Sequence, residues 1–157
     1  MNTSIEGLEA LKRREGVVYL MYRDSAGLPS IGVGHLLTKD ELRSGKIELT
    51  PEAVDWHMGL TEAQVDALLR RDLDAAEIAV GTGVHVSLSQ PQFDTLVSFA
   101  FNVGRNAFRN STLLRLLNAG DYGAVPGQLR RWVHSAGQRD PILVKRREDE
   151  ILQWEAA

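Results

Sequence analysis

Residues 17 to 36 are where this 157-residue chain departs from a helical pattern, and they constrain its fold more than any other stretch. Elsewhere helix-start signals are followed by glycine stops. Between Val17 and Leu36 stand two short β-rich runs, VVYLMY and SIGVG. Arg23-Asp24-Ser25-Ala26-Gly27-Leu28-Pro29, dense in turn residues, separates them. The expected class is α+β, mainly helical, with a small N-terminal β lobe and a larger helical C-terminal lobe. A chain of this length fits one domain and can bury a core without a metal or disulfide staple.

The helical punctuation can be followed along the chain. Thr3-Ser4-Ile5-Glu6 reads as a capping box opening a helix with Ile5, Leu8 and Leu11 on one face, ending near Glu15-Gly16. A further strand is expected around Lys46–Leu49. Thr38-Lys39-Asp40-Glu41 opens a short helix stopped by Gly45, and Thr50-Pro51 another stopped by Gly59. Thr61-Glu62-Ala63-Gln64 begins the longest helix, whose stripe of Val65, Leu68, Leu69, Leu73 and Ala76 makes it the connector between lobes. Ser89-Gln90-Pro91-Gln92 starts a helix that is apolar nearly all round, the mark of a central core helix. Ser111 caps TLLRLLNAG. Asp121 begins a segment carrying Trp132, with Pro126 an alternative start, and Asp140-Pro141 begins a last helix through Trp154. The resulting plan is one domain: a β lobe over about 16–60, a connecting helix over about 62–80, and a helical lobe over about 84–157 joined by the N-terminal helix. A cleft between lobes is the default place for a ligand.

Several chemistries fall away. The chain has no cysteine, which removes disulfides, thiolate metal sites and thiol nucleophiles. The histidines at 35, 57, 85 and 134 are scattered, and Asp72-x-Asp74-x-x-Glu77 lies in a helix without a calcium-loop glycine, so no metal is expected. Gly32-x-Gly34 lacks the third glycine and the βαβ unit of a dinucleotide site, and no cofactor is expected. No apolar run approaches the roughly 20 residues of a membrane span, so the chain is expected to be soluble without stable membrane association. Net charge is −3, but residues 1–104 carry 9 basic against 15 acidic residues and residues 105–157 carry 9 against 6. An anionic polymer would therefore meet the second part; with 6% aromatics and no dense basic stripe, nucleic acid is not the expected partner.

What remains is the opening stretch, EGVVYLMYRDSAGLPSIGVGH. Glu15 stands at a helix end, Asp24 in a turn and Ser30 at the start of a strand. Glycoside hydrolysis needs two carboxylates, one to protonate the leaving oxygen and one to act on the other face of the sugar. Glu15, beside Val17-Val18-Tyr19, is the candidate acid, and Asp24, in a polar turn, the candidate base. Taken singly, each residue also suits a solvated helix end, a type I turn and an unremarkable strand.

The run E-x8-D-x5-S followed by IGVGHLLT resembles the phage-type lysozymes, the endolysins of glycoside hydrolase family 24, and the likeness continues through GLTEAQVDALLRRDLDAAE, SLSQPQFDTLVSFAFNVG, NSTLLRLLNAGDY, RRWVHSAG and LVKRRE. The resemblance implies a β lobe and a helical lobe joined by a long helix. It also implies hydrolysis of the β-1,4 bond between N-acetylmuramic acid and N-acetylglucosamine in peptidoglycan, with inversion. Glu15 is then the general acid, Asp24 the base or water-positioning group, and Ser30, standing where the family usually has Thr, a second group on the water. It further implies an ion pair of His35 with Asp72, a cation near Glu15 supplied by one of the two arginines of KRRE, Arg146 in preference to Arg147, and sugar contacts from Leu36, Phe101, Asn102 and Ser111, with Trp132 nearby. Pro126 stands where the family has a polar cleft residue, so that contact is expected to be absent. The expected partner is peptidoglycan and the expected state a monomer. Synthesis is expected in the host bacterial cytoplasm and action in the periplasm after release through a holin. Two alternatives stay open: a lytic transglycosylase, and a peptidoglycan-binding protein that has lost catalysis.

Overall fold

The computed structural model describes residues 1–156. Contacts divide the chain into two compact units, Leu8–Asp74 on the one hand and Met1–Gly7 with Ala75 onward on the other. The division passes through the first helix and through the longest one.

The unit formed by Leu8–Asp74 begins with most of helix α1 (Ile5–Glu15) and holds strands β1 (Val18–Arg23), β2 (Pro29–Gly32) and β3 (His35–Leu36) in an antiparallel sheet of order β1-β2-β3. Ser30 pairs with Tyr22 on one side and Leu36 on the other. Helix α2 (Lys39–Ser44) starts at Thr38, whose hydroxyl accepts the Glu41 amide while Glu41 reaches back to the Thr38 amide, and it stops at a left-handed Gly45.

The third strand of this sheet is His35–Leu36, not Lys46–Leu49. Strand β4 (Lys46–Glu48) instead pairs with β5 (Ala53–Asp55) in a separate hairpin, Ile47 opposite Val54. The helix expected from Thr50-Pro51 is therefore absent. Pro51 serves the hairpin loop, Ile47 is fully buried between exposed Lys46 and Glu48 in strand alternation, and Trp56 fastens the far end by donating its indole N–H to the Glu41 carbonyl at 2.9 Å. Helix α3 (Glu62–Gly83) opens with the reciprocal Thr61 and Gln64 bonds that its capping box requires.

In the other unit, helix α4 (Gln90–Val103) is the core element, buried from Phe93 to Ala100. Its polar residues are satisfied: Thr95 bonds the Pro91 carbonyl, Ser98 donates to Glu150, and Asp94 accepts from Ser4. Around it stand α5 (Arg105–Arg109), α6 (Thr112–Asn118), α7 (Val125–Leu129), a two-stranded hairpin of β6 (His134–Ser135) and β7 (Gln138–Arg139), and α8 (Pro141–Glu155). Asp121 caps only a 3-10 turn, Tyr122–Ala124; α7 follows, with Pro126 in its first turn, and ends before Trp132. Two details of the N-terminus also differ from expectation. Ser4, not Thr3, caps α1 by accepting the Gly7 amide, while Thr3 donates to Glu77; and Ile5 is exposed whereas Leu8 and Leu11 are buried.

Candidate active site

Glu15 is the last residue of α1, and Gly16, in a left-handed conformation, donates its amide to the Lys12 carbonyl to end the helix there. The Glu15 carboxylate lies over the β2–β3 turn: a Cβ added at Gly34 would stand 3.5 Å from Glu15 Oε2. Gly34 also has φ +66°, so the backbone favours glycine there, while a Cβ would make only an ordinary contact with the carboxylate. The glycine of the β2–β3 turn thus lies beside the Glu that opens the motif.

Asp24 sits in the β1–β2 loop, and the loop is built on it. Its Oδ1 accepts the Ala26 and Leu28 amides, each at 2.9 Å, and its backbone exchanges bonds with Leu28 and Gly27. One carboxylate oxygen is therefore fixed; Oδ2 has no hydrogen-bond partner among the described residues. Ser30 is buried on β2, and its hydroxyl likewise makes no bond among the described residues. Glu15, Asp24 and Ser30 all belong to the Leu8–Asp74 unit. Leu36 of the same unit is exposed on β3.

His35 stands between two carboxylates: Nδ1 is 2.7 Å from Asp72 Oδ2 and Nε2 is 2.8 Å from Glu41 Oε1. Arg71 completes the cluster, with Nη2 3.5 Å from both Glu41 Oε2 and Asp72 Oδ1. Burial disfavours the charged imidazole, but Asp72 and Glu41 outweigh it and raise the His35 pKa above its ordinary value. Glu41 shifts the other way: burial opposes ionisation, yet the Thr38 amide, His35 and Arg71 hold its pKa low. Sequence reasoning saw Glu41 only as a capping residue. No spacing rule could have shown that the same side chain turns inward to His35.

The remaining expected residues lie in the other unit. Phe101 is half-buried and Asn102 exposed near the end of α4. Asn102 Oδ1 accepts from Arg147, a fully buried arginine that also bonds the Trp132 carbonyl and Glu150 and lies over the Phe99 ring. In the sequence Arg147 stands only as the second candidate cation of KRRE, and its hold on Asn102 has no local signal. Arg146 is buried beside it, on Glu150 and Ser98. Ser111 is buried as the α6 cap, its hydroxyl donating to Phe108 and accepting from Leu114, so little of it is left for a ligand. Trp132 is half-buried, edge-on to Phe99, and lines a 420 Å³ depression with Gln128, Arg131 and Ser111. Among the described residues no group of acidic or histidine side chains could hold a metal.

The phage lysozyme family model matches residues 12–150, from the helix that carries Glu15 to the helix that carries Arg147. The chain belongs to the phage lysozyme family. It is thus a lysozyme, a hydrolase of bacterial peptidoglycan, with the α+β, mainly helical fold expected from its sequence. It is 37% identical over 152 residues to the endolysin of Salmonella phage P22, covering 97% of each chain. Among solved structures, a point mutant of the P22 lysozyme matches with a TM-score of 0.79 at 36% identity over 97% of both chains. The muramidase domain of SpmX from Asticaccaulis excentricus matches with a TM-score of 0.78 at 32% identity, covering 98% of this chain and 97% of that one.

Proposed function

We propose that this lysozyme cleaves the β-1,4 bond between N-acetylmuramic acid and N-acetylglucosamine by a single displacement with inversion, with Glu15 as general acid and Asp24 as the base that activates water. The observation that carries this reading is the divided Asp24 carboxylate: Oδ1 is clamped by two amides and Oδ2 is open. A base must be held still and yet keep a free lone pair, and this residue meets both needs. The unpaired Ser30 hydroxyl supports the same reading as a second group on the water.

In the step, Glu15 gives its proton to the leaving O4 oxygen as the C1–O4 bond breaks. The water oxygen bonds to C1 of the muramic acid, and its proton passes to Asp24 Oδ2. One new reducing end and one free 4-hydroxyl result. Leu36, Phe101 and Asn102 are assigned to the sugars, whereas the Ser111 hydroxyl stays with the α6 cap. For Asn102 the chemistry is specific. Arg147 can only donate, so Asn102 must turn Oδ1 toward it and present Nδ2–H to a ligand acceptor such as an acetamido carbonyl. The protein acts as a monomer and reaches the wall through a holin-made opening; among the described residues no helix is long and apolar enough to cross a membrane itself.

The test is fragment analysis of digested peptidoglycan. New reducing N-acetylmuramic ends are expected. Anhydromuramic ends would mean a transglycosylase, and absence of fragments a binding protein. Glu15→Gln is expected to abolish fragment release while the thermal melt stays cooperative; release at the parent rate would remove Glu15 from the mechanism.

A further inference from the structure

A second depression lies in the unit formed by Met1–Gly7 with Ala75 onward, about 540 Å³ in volume and bordered by Thr82, His85, Arg109, Ser111, Arg115 and Asn118. No residue that lines it is acidic. Arg109 and Arg115 are exposed, and neither they nor the His85 ring have an ion pair or side-chain hydrogen bond among the described residues. By contrast, Arg130 is held by Glu148, Arg71 by Glu41 and Asp72, and Arg147 by Glu150.

The rim is fixed in place. The Asn118 amide bridges two strands of chain, accepting from the His85 amide at 2.8 Å and donating to the Gly83 carbonyl at 2.8 Å, so the segment carrying His85 is tied to the helix carrying Arg115. Ser111 and Thr112 belong also to the depression that holds Trp132. A polymer seated along Trp132 would therefore have the two arginines next along its path. Guanidinium groups left without carboxylates around a hollow that has no acidic residue are suited to oxyanions.

We propose that His85, Arg109 and Arg115 form an oxyanion subsite that takes a carboxylate of the peptidoglycan itself, on the lactyl group or the attached peptide. This rests on the peptidoglycan reading above and adds a charged contact that the sugar-binding residues do not supply. Its contribution is to affinity, and it is sensitive to salt because the arginines are exposed.

The test is co-sedimentation with insoluble peptidoglycan, using Glu15→Gln protein so that the wall persists, with soluble fragments assayed in the same tubes. The wall is used untreated and after carbodiimide coupling of its carboxylates to methylamine. Amidation is expected to weaken binding by roughly 3- to 10-fold, and Arg109→Gln/Arg115→Gln to weaken binding to untreated wall by about as much, the size expected of exposed ion pairs. On amidated wall the double variant and its parent should bind alike. Arg13→Gln/Arg105→Gln makes the same charge change at positions outside the depression and is expected to leave binding nearly unchanged. An equal loss in that control, or a loss from Arg109→Gln/Arg115→Gln that persists in full on amidated wall, would overturn the subsite. Fragment release by the Glu15→Gln parent would speak against Glu15 as the acid and leave the binding comparison intact. Failure of that parent to sediment with untreated wall would count against both.

Discussion

The Asp24 side chain combines two jobs in two oxygens, and substitutions can separate them. Asparagine keeps an acceptor for the Ala26 and Leu28 amides but cannot take a proton from water. Asp24→Asn is therefore expected to fold and melt like the parent while wall-lytic activity falls by about 100-fold or more, the scale of general base catalysis. Asp24→Ala removes the amide acceptor as well and should also lose about 1 kcal/mol of stability, the net worth of loop hydrogen bonds whose exposed donors turn to water instead. Equal melting temperatures for the two variants would refute the clamp. Asn102 offers a parallel separation. Asn102→Asp retains, and charges, the acceptor facing Arg147, but replaces the outward N–H donor with an oxygen. A raised KM with kcat little changed, and no loss of thermal stability, is expected. A KM equal to the parent's would mean that Asn102 gives no hydrogen bond to the sugar.

At the scale of elements, β3, α2 and α3 meet through His35, Glu41 and Asp72. The two pKa shifts give opposite pH dependences. Because His35 is raised, its contribution to stability is complete below the ordinary histidine value of about 6.5 and is lost as pH rises through the raised value. Because Glu41 is lowered, its contribution is present above about 4.3 and is lost as pH falls through the lowered value. Thermal melts should thus peak between those limits and fall on the alkaline side. His35→Asn should melt lower, breaking a buried ion pair costing about 3–5 kcal/mol, and its melting temperature should change less between pH 6 and 9 than the parent's. An alkaline fall of the parent's size in the variant would assign that slope to other groups. Elements bounded by local chemistry were the legible ones: the Thr38, Thr61, Ser89 and Ser111 caps all mark true helix starts. Of the β4–β5 hairpin only the first strand was legible, because Pro51 after Thr50 is as good a helix opener as a loop residue. What decides between them is the tertiary anchoring of Trp56 to Glu41, which no local signal encodes.

For the whole molecule, the motif from Glu15 to His35 was readable because it is continuous in sequence and its parts lie within one compact unit. The same was not true of residues that act through distant partners. Arg147 holds Asn102 across 45 positions, and Asn118 holds His85 across 33, and neither reads as special alone. Family membership makes the chain a wall hydrolase; the chemistry of the step is the central claim added to it. That claim is a single displacement by a water held between Asp24 and Ser30, and it fixes the stereochemistry of the product. Proton NMR of a soluble peptidoglycan oligosaccharide, recorded during the first minutes of digestion before mutarotation, reads this directly. The α-anomer of the new N-acetylmuramic reducing end should appear first, and the β-anomer only later. Initial appearance of the β-anomer would show retention through a glycosyl-enzyme or substrate-assisted intermediate and contradict the assignment of Asp24 as a base.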